Sequence, residues 1–235
     1  MIFLYNKVFS YCLGIVGALS SIFVILITSV EVVVYSDSYF QKEYSKYNIT
    51  DNTKISQEDL MYVTNEMMDY LVDKRENLDN IVVKINDVNK EFFNEREKAH
   101  MVDVKFLFVK AMELRKICIV IVLITIITAL WKNNNLYNYI KSIRRTVISF
   151  FILITVLAGI ISTNFTKYFF MFHEMFFSND LWLLDPNTDM LINIVPEPFF
   201  IDTALYICIT FIIGSILLVL LTYLFQFIYK SYSNK

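Results

Sequence analysis

Glycine and proline are scarce in this chain, four and three among 235 residues. Little therefore breaks a helix once it has begun. No Walker loop, Gly-x-Gly-x-x-Gly turn or Gly-x-Ser-x-Gly elbow is present, which removes the usual signatures of nucleotide binding and serine hydrolysis. Cysteine is limited to Cys12, Cys118 and Cys208. An odd number excludes full pairing, and each lies in an apolar run that an aqueous oxidant or metal does not easily reach. They read as small buried hydrophobes, not as a thiolate nucleophile, which needs an electropositive and partly exposed site. Positive charge has no excess either: Lys and Arg total 21 against 23 Asp and Glu, a net charge of -2 without a nucleic-acid footprint. Histidine occurs only as His100 and His173.

Apolar side chains, by contrast, make up 56% of the chain, and the mean hydropathy is +0.50. That is too apolar for an ordinary soluble domain and indicates an integral membrane protein. Four runs carry no charge: Val8 to Val30, Ile117 to Trp131, Thr146 to Thr166, and Thr203 to Tyr229. A crossing helix needs about 20 apolar residues. The second run is short, but Lys132 at one end and Arg115 and Lys116 at the other can snorkel. The first run is too long for a signal peptide and has no Ala-x-Ala site after Val30, so it is expected to stay attached as an anchor. The expected fold is an all-α membrane protein, four transmembrane helices with an extracellular, mainly helical cap. Its expected boundaries are 1–35 for the amino-terminal end and first span, 36–105 for the cap, 106–131 for the second span and 132–145 for a cytoplasmic loop. The third span follows at 146–166, an extracellular aromatic and acidic loop at 167–202, the fourth span at 203–229 and a cytoplasmic tail at 230–235.

Loop charge gives the orientation. The connection from Lys132 to Thr146 holds Lys132, Lys141, Arg144 and Arg145 and no acid, whereas Thr166 to Asp202 holds six acids against Lys167. The positive-inside rule puts the former in the cytoplasm, and Lys7, Lys230 and Lys235 place both termini there too.

The segment after Tyr35 is too long and too patterned for a plain loop. Ser56-Gln57-Glu58-Asp59 reads as a helix start, followed by Leu60, Val63, Met67, Tyr70 and Leu71 at helical spacing. After Asn86-Asp87 a second helical pattern is expected, with Phe92, Phe93, Arg96, His100, Asp103, Val104 and Leu107 along one side. No Gly or Pro interrupts it before Trp131, so one helix is expected to join the second span to the cap and to carry His100. Glu31 and Asp202 stand near span ends, either lining a site or reaching the interface.

On that helix His100 and Asp103 are i and i+3, with Arg96 one turn back, hence on one face. An acid beside a histidine can fix its tautomer and raise its basicity; the plainer reading is a solvated face with weak ion pairs. In the other segment, Phe169 to Trp182, an aromatic run is interleaved with His173, Glu174 and Asp180, and Leu184 to Asp189 looks like a turn. An interfacial aromatic belt explains the aromatics but does not need the acids. His173-Glu174 lacks the second histidine of a zincin motif, and a composite metal site from His100, Asp103, His173 and Asp189 has no ligand spacing to argue for it. With no activated Ser or Cys in view, acyl chemistry would run through histidine as general base and acid or as transient nucleophile.

At these residues the chain resembles the lipoprotein intramolecular transacylases, small four-span bacterial membrane proteins. The resemblance rests on His100-Met101-x-Asp103-Val104 and on Phe172-His173-Glu174-x-Phe176-Phe177-x-Asn179-Asp180-x-Trp182-x-Leu184-Asp185-Pro186, continuing through Asp189-x-Leu191-Ile192 to Pro196-Glu197-x-Phe199-Phe200. It implies transfer of the sn-2 acyl chain of a diacylglyceryl-modified N-terminal cysteine onto that cysteine's own α-amino group, giving a lyso-form lipoprotein. It also implies that His100 and His173 are catalytic, one taking a proton from the amine and the other giving one to the departing glyceryl oxygen. Arg96, Asp103, Glu174, Asp180, Trp182, Asp185, Asp189, Glu197, Phe172, Phe176 and Phe200 are expected to orient them or bind substrate. No metal or cofactor is expected. The expected partners are membrane lipid and diacylglyceryl lipoproteins with a free N-terminal cysteine, met at the outer leaflet of a bacterial plasma membrane. The rival readings are a non-enzymatic sensor, assembly or lipid-binding protein, and then a metal-dependent membrane hydrolase.

Overall fold

A computed structural model describes residues 2–86, 88–131 and 136–233. Asp87, Lys132 and Lys235, used in the turn and charge arguments above, lie outside the described residues. In chain order the elements are α1 (Ile2–Val34), α2 (Asp37–Lys46), α3 (Ile49–Thr53), α4 (Gln57–Leu71), β1 (Val82–Ile85), β2 (Val88–Glu91), α5 (Glu95–Trp131), α6 (Leu136–Ser162), α7 (Phe165–Phe176), α8 (Leu191–Ile194) and α9 (Glu197–Ser233). They divide into two compact units. The membrane unit holds the chain through Val30, from Met112 to Thr163, and from Ile207 onward; the histidine unit holds Glu31 to Ala111 and Asn164 to Tyr206.

Within α1, α5, α6 and α9 lie four stretches long and apolar enough to cross a membrane. Lipid offers no hydrophobic drive for helices to associate, so close packing and hydrogen bonds must do it. Gly14 and Gly17 supply the close packing. A Cβ on Gly14 would sit 2.6 Å from the Ser142 Cβ, and one on Gly17 would sit 2.8 Å from the Thr125 hydroxyl. The freed space lets Ser142 donate to the Tyr11 carbonyl at 2.8 Å, while Thr125 and the Tyr139 hydroxyl pair at 3.0 Å. Ala18, Ile22, Val147 and Phe211 form the apolar centre. Outward-facing Ile, Leu and Val remain exposed along α5, α6 and α9, as lipid-facing surfaces should.

Two span boundaries differ from expectation. The stretch assigned to a loop is helical from Leu136, so Arg144 is a helix residue; it donates to Gln226 Oε1 at 2.7 Å and lies 4.1 Å from the Tyr223 ring centre. The third span ends at Ser162, before Thr166, because the Asn164 side chain accepts from the Lys167 N–H and starts a new helix, α7.

The histidine unit contains no glycine, since the four stand at 14, 17, 159 and 214. Its left-handed turn positions are Asn48, Lys54, Asp73, Asn80 and Asn86 instead. Ser56 caps α4 through the Asp59 N–H at 3.0 Å, and Leu60, Val63, Met67, Tyr70 and Leu71 are buried on the anticipated face. The second helix, in contrast, starts later than its pattern suggests. Asn86 is the turn of a hairpin in which Val82 pairs with Glu91 and Ile85 with Val88. Asn tolerates the positive φ of 51° found there, and β-branched residues suit the short strands. Phe92 and Phe93 follow β2 and plug the core, with ring centres 4.8 Å apart. From Glu95 to Trp131 the helix is unbroken, as expected.

Helix α2 docks on the first turns of α9 by an aromatic and acidic contact. Tyr39 meets Phe199 edge-on and bonds the Thr203 hydroxyl at 2.7 Å. Glu43, 1% exposed, lies beside Asp202, which accepts from Lys46 and from the Tyr47 hydroxyl. Burial pushes the Glu43 carboxyl up, reinforced by the Asp202 charge. Asp202 loses water too, but Lys46 and Tyr47 outweigh that and hold it down.

Candidate active site

His100 lies in the second turn of α5 and His173 near the end of α7, each 8% exposed. Their ring centres are 6.3 Å apart. Phe177 touches both, at 5.4 Å from the His100 ring and 5.5 Å from the His173 ring. Trp182 stacks on His173 at 4.8 Å and 28°, Phe172 meets it edge-on, and Phe169 lies 4.2 Å away. Such an enclosure excludes water and lowers the local dielectric.

Proton positions follow from the partners. His173 Nδ1 is 2.7 Å from the Phe169 carbonyl oxygen. A carbonyl can only accept, so Nδ1 carries the hydrogen and Nε2 presents a lone pair. Burial lowers the His173 pKa, and the carbonyl contact only partly opposes it. His100 is pushed down further, to about 4, by burial first and then by His173; Asp103 works against this and Arg96 with it. Both rings are thus neutral at pH 7. Among the described residues the Nδ1 of His100 is buried without a hydrogen-bond partner, an arrangement that costs about 1 to 3 kcal/mol.

The expected supporting residues separate into those around the rings and those that shape the loop. Arg96 donates to the carbonyls of Asp180 and Leu183, the residues that bracket Trp182, and so braces the ring stacked on His173. Asp103 accepts from the Asn179 amide at 2.9 Å and acts on His100 as a nearby negative charge that raises its pKa. Glu174 and Asp180 are exposed on an open cleft of about 460 Å³ that Phe170, Phe177 and Trp182 also line. Phe176 lies tilted against Phe172, and Phe200 lies against Phe169.

Three acids are used elsewhere. The Asp185 side chain accepts from Asn187 within its own turn. Asp189 is 2% exposed and accepts from Asn94, Thr188 and the Asp185 N–H. Burial alone would raise its pKa, but these donors lower it. Glu197 accepts from the Thr166 hydroxyl at 2.5 Å, tying α7 to α9. Among the described residues, no group of three or more His, Cys, Asp or Glu is arranged to hold a metal ion.

Two contributors escape the sequence reading. Phe169 matters through its carbonyl, which no side-chain pattern reveals. Glu97 is fully buried, and its signal, Asn94-x-x-Glu97, is the capping box at the start of α5.

Comparison with known proteins gives a consistent picture. No curated protein matches the chain. Among solved structures it is similar to the membrane-integral lipoprotein intramolecular transacylase Lit from Bacillus cereus, at 25% identity and a TM-score of 0.78, covering 97% of this chain and 99% of that one. A histidine-to-arginine variant of that protein matches at 25% identity and a TM-score of 0.79, over 99% and 98% of the two chains. A histidine-to-alanine variant matches at 24% and 0.79, over the full length of both. The profile of the lipoprotein intramolecular transacylases matches residues 15–200. The chain therefore belongs to the lipoprotein intramolecular transacylase family, Lit, whose members are membrane acyltransferases acting on lipoproteins.

Proposed function

We propose that this protein moves the sn-2 acyl chain of a diacylglyceryl-modified N-terminal cysteine onto that cysteine's own α-amino group. The observation that carries the reading is a pair of buried, neutral imidazoles 6.3 Å apart inside an aromatic enclosure, one with its tautomer set by a backbone carbonyl. The amine nitrogen attacks the sn-2 carbonyl carbon and gives its proton to His173 Nε2. The C–N bond forms, the bond to the glyceryl oxygen breaks, and His173 returns the proton to that oxygen. His100, held neutral by a pKa of about 4, donates an N–H hydrogen bond to the carbonyl oxygen as charge builds there; a neutral histidine can act as an electrophile in this way.

Both reacting groups belong to one substrate, and holding them together supplies roughly 7 to 11 kcal/mol in favourable cases. The ring cluster of Phe169, Phe172, Phe177 and Trp182 keeps water from the ester. Glu174 and Asp180, open on the adjoining cleft, attract the ammonium end of the substrate before it loses its proton. The substrates are diacylglyceryl lipoproteins with a free N-terminal cysteine. The histidine unit faces outward and both termini are cytoplasmic, a reading supported by Lys7, Lys141, Arg144, Arg145 and Lys230.

The test is incubation of the lipid-embedded protein with a synthetic diacylglyceryl-cysteine peptide, followed by tandem mass spectrometry. Because the reaction is an isomerisation, total mass is unchanged and fragmentation must locate the acyl group. An N-acyl cysteine with a mono-acylated glyceryl is expected, reduced roughly 10²- to 10⁴-fold in His173→Ala and strongly in His100→Ala. Free fatty acid instead would mean a hydrolase, and an unchanged substrate a binding protein.

A further inference from the structure

The reaction above assigns no part to Glu97, yet this is a fully buried carboxylate one turn before His100. Both of its oxygens are occupied by backbone donors. Oε2 accepts from the Asn94 N–H at 2.8 Å, and Asn94 Oδ1 accepts in return from the Glu97 N–H at 2.9 Å, which closes the cap of α5. Oε1 accepts from the Leu191 N–H at 2.6 Å, a contact across 94 residues to the first residue of α8. Asn94 makes a parallel reach, its amide donating to Asp189 Oδ1 at 2.7 Å and to the Thr188 carbonyl at 3.2 Å. The first turn of α5 is thus fastened to residues 188–191 at two points, and the cap holds both fasteners in one register.

A cap needs far less than this. An exposed Asn or Ser satisfies the free N–H groups of a helix start, and burying a carboxylate is costly unless every lone pair is matched. The second oxygen, aimed out of the helix at Leu191, is what capping does not explain. A residue three positions on shares the helix face of Glu97, and that residue is His100. Rotation or sliding of α5 would move the His100 ring directly, and the fastening to residues 188–191 opposes both.

We propose that Glu97 is a positioning residue for the acyl transfer: through Asn94 and Leu191 its carboxylate holds His100 at its working distance from His173. The proposal rests on the transacylation reading, but its test need not. The chain has only two histidines, so the full-length protein labelled with ¹⁵N-histidine in lipid nanodiscs gives two imidazole spin systems. Glu97→Gln keeps the shape but can accept only one of the two N–H groups. The expected result is a shifted or broadened His100 signal and a His173 signal still protonated at Nδ1. With the diacylglyceryl-cysteine peptide, kcat should fall at least 10-fold with KM little changed. Asn94→Ala, which loosens the same fastening from the other side, should move the same signal, and Glu95→Gln, exposed beside them, should move neither.

Wild-type kcat together with an unshifted His100 signal in Glu97→Gln would overturn the proposal. So would failure of both Glu97→Gln and Asn94→Ala to fold, which would make Glu97 a folding determinant and nothing more. If the wild-type protein moves no acyl chain, the transacylation reading fails by itself, and the histidine spectra still decide whether Glu97 holds His100.

Discussion

His100 and His173 are both neutral at pH 7, and this sets what acid should do. In the pH range from about 6.5 down to about 4 the unfolded chain takes up a proton at His100 that the folded protein refuses. Stability is therefore full above pH 6.5 and falls as pH drops toward 4, by up to about 3 kcal/mol from this group. Thermal unfolding of wild type and His100→Ala across that range should show a shallower acid slope in the variant. For catalysis, kcat/KM should rise through the pKa of the substrate's α-amino group, about 7.7 to 8.0, with no inflection near 6.5; an inflection there would mean that a histidine titrates as in water. At this scale the two histidines were legible because there are no others, and Trp182 because it stands in the same aromatic run. Asp103 was legible as a residue but not as a partner of Asn179, since spacing along one helix cannot show what approaches from another. Glu97 passed for an ordinary acid in a first helical turn.

Elements are where the shortage of glycine tells. Lys54 closes α3 in the left-handed region with φ 59°, a conformation that costs a non-glycine residue about 1 kcal/mol. Lys54→Gly should stabilise the protein by about 0.5 to 1 kcal/mol, read as a raised unfolding temperature. The docking of α2 on α9 makes a second prediction. Glu43→Gln keeps the shape and removes one of two neighbouring acids, so it should change stability by less than about 1 kcal/mol. Asp202→Ala leaves Lys46 and Tyr47 without their acceptor and should cost about 1 to 3 kcal/mol; equal losses in the two variants would refute Asp202 as the polar centre of this contact. The helices were readable from caps and periodicity, as at Ser56. The hairpin was not, because strands of four residues show little alternation and Phe92 and Phe93 happen to fit a helical stripe.

For the whole molecule, four uncharged runs were enough to read four spans, since lipid requires length and apolarity of any crossing helix. Their ends were less readable: helix continues past the membrane whenever nothing breaks it, as at Leu136 and through α5. The orientation makes its own prediction. In intact cells a membrane-impermeant maleimide should label Asp51→Cys and should reach Lys141→Cys only after permeabilisation; the reverse pattern would invert the topology. The unbroken helix from Glu95 through His100 has a further consequence, for what protein engineering can do there. One residue added between Glu97 and His100 would turn the ring by about 100° away from the face it shares with Glu97. An exchange of Ala99 for another helix former keeps that face, so this stretch is open to new letters but closed to a new length.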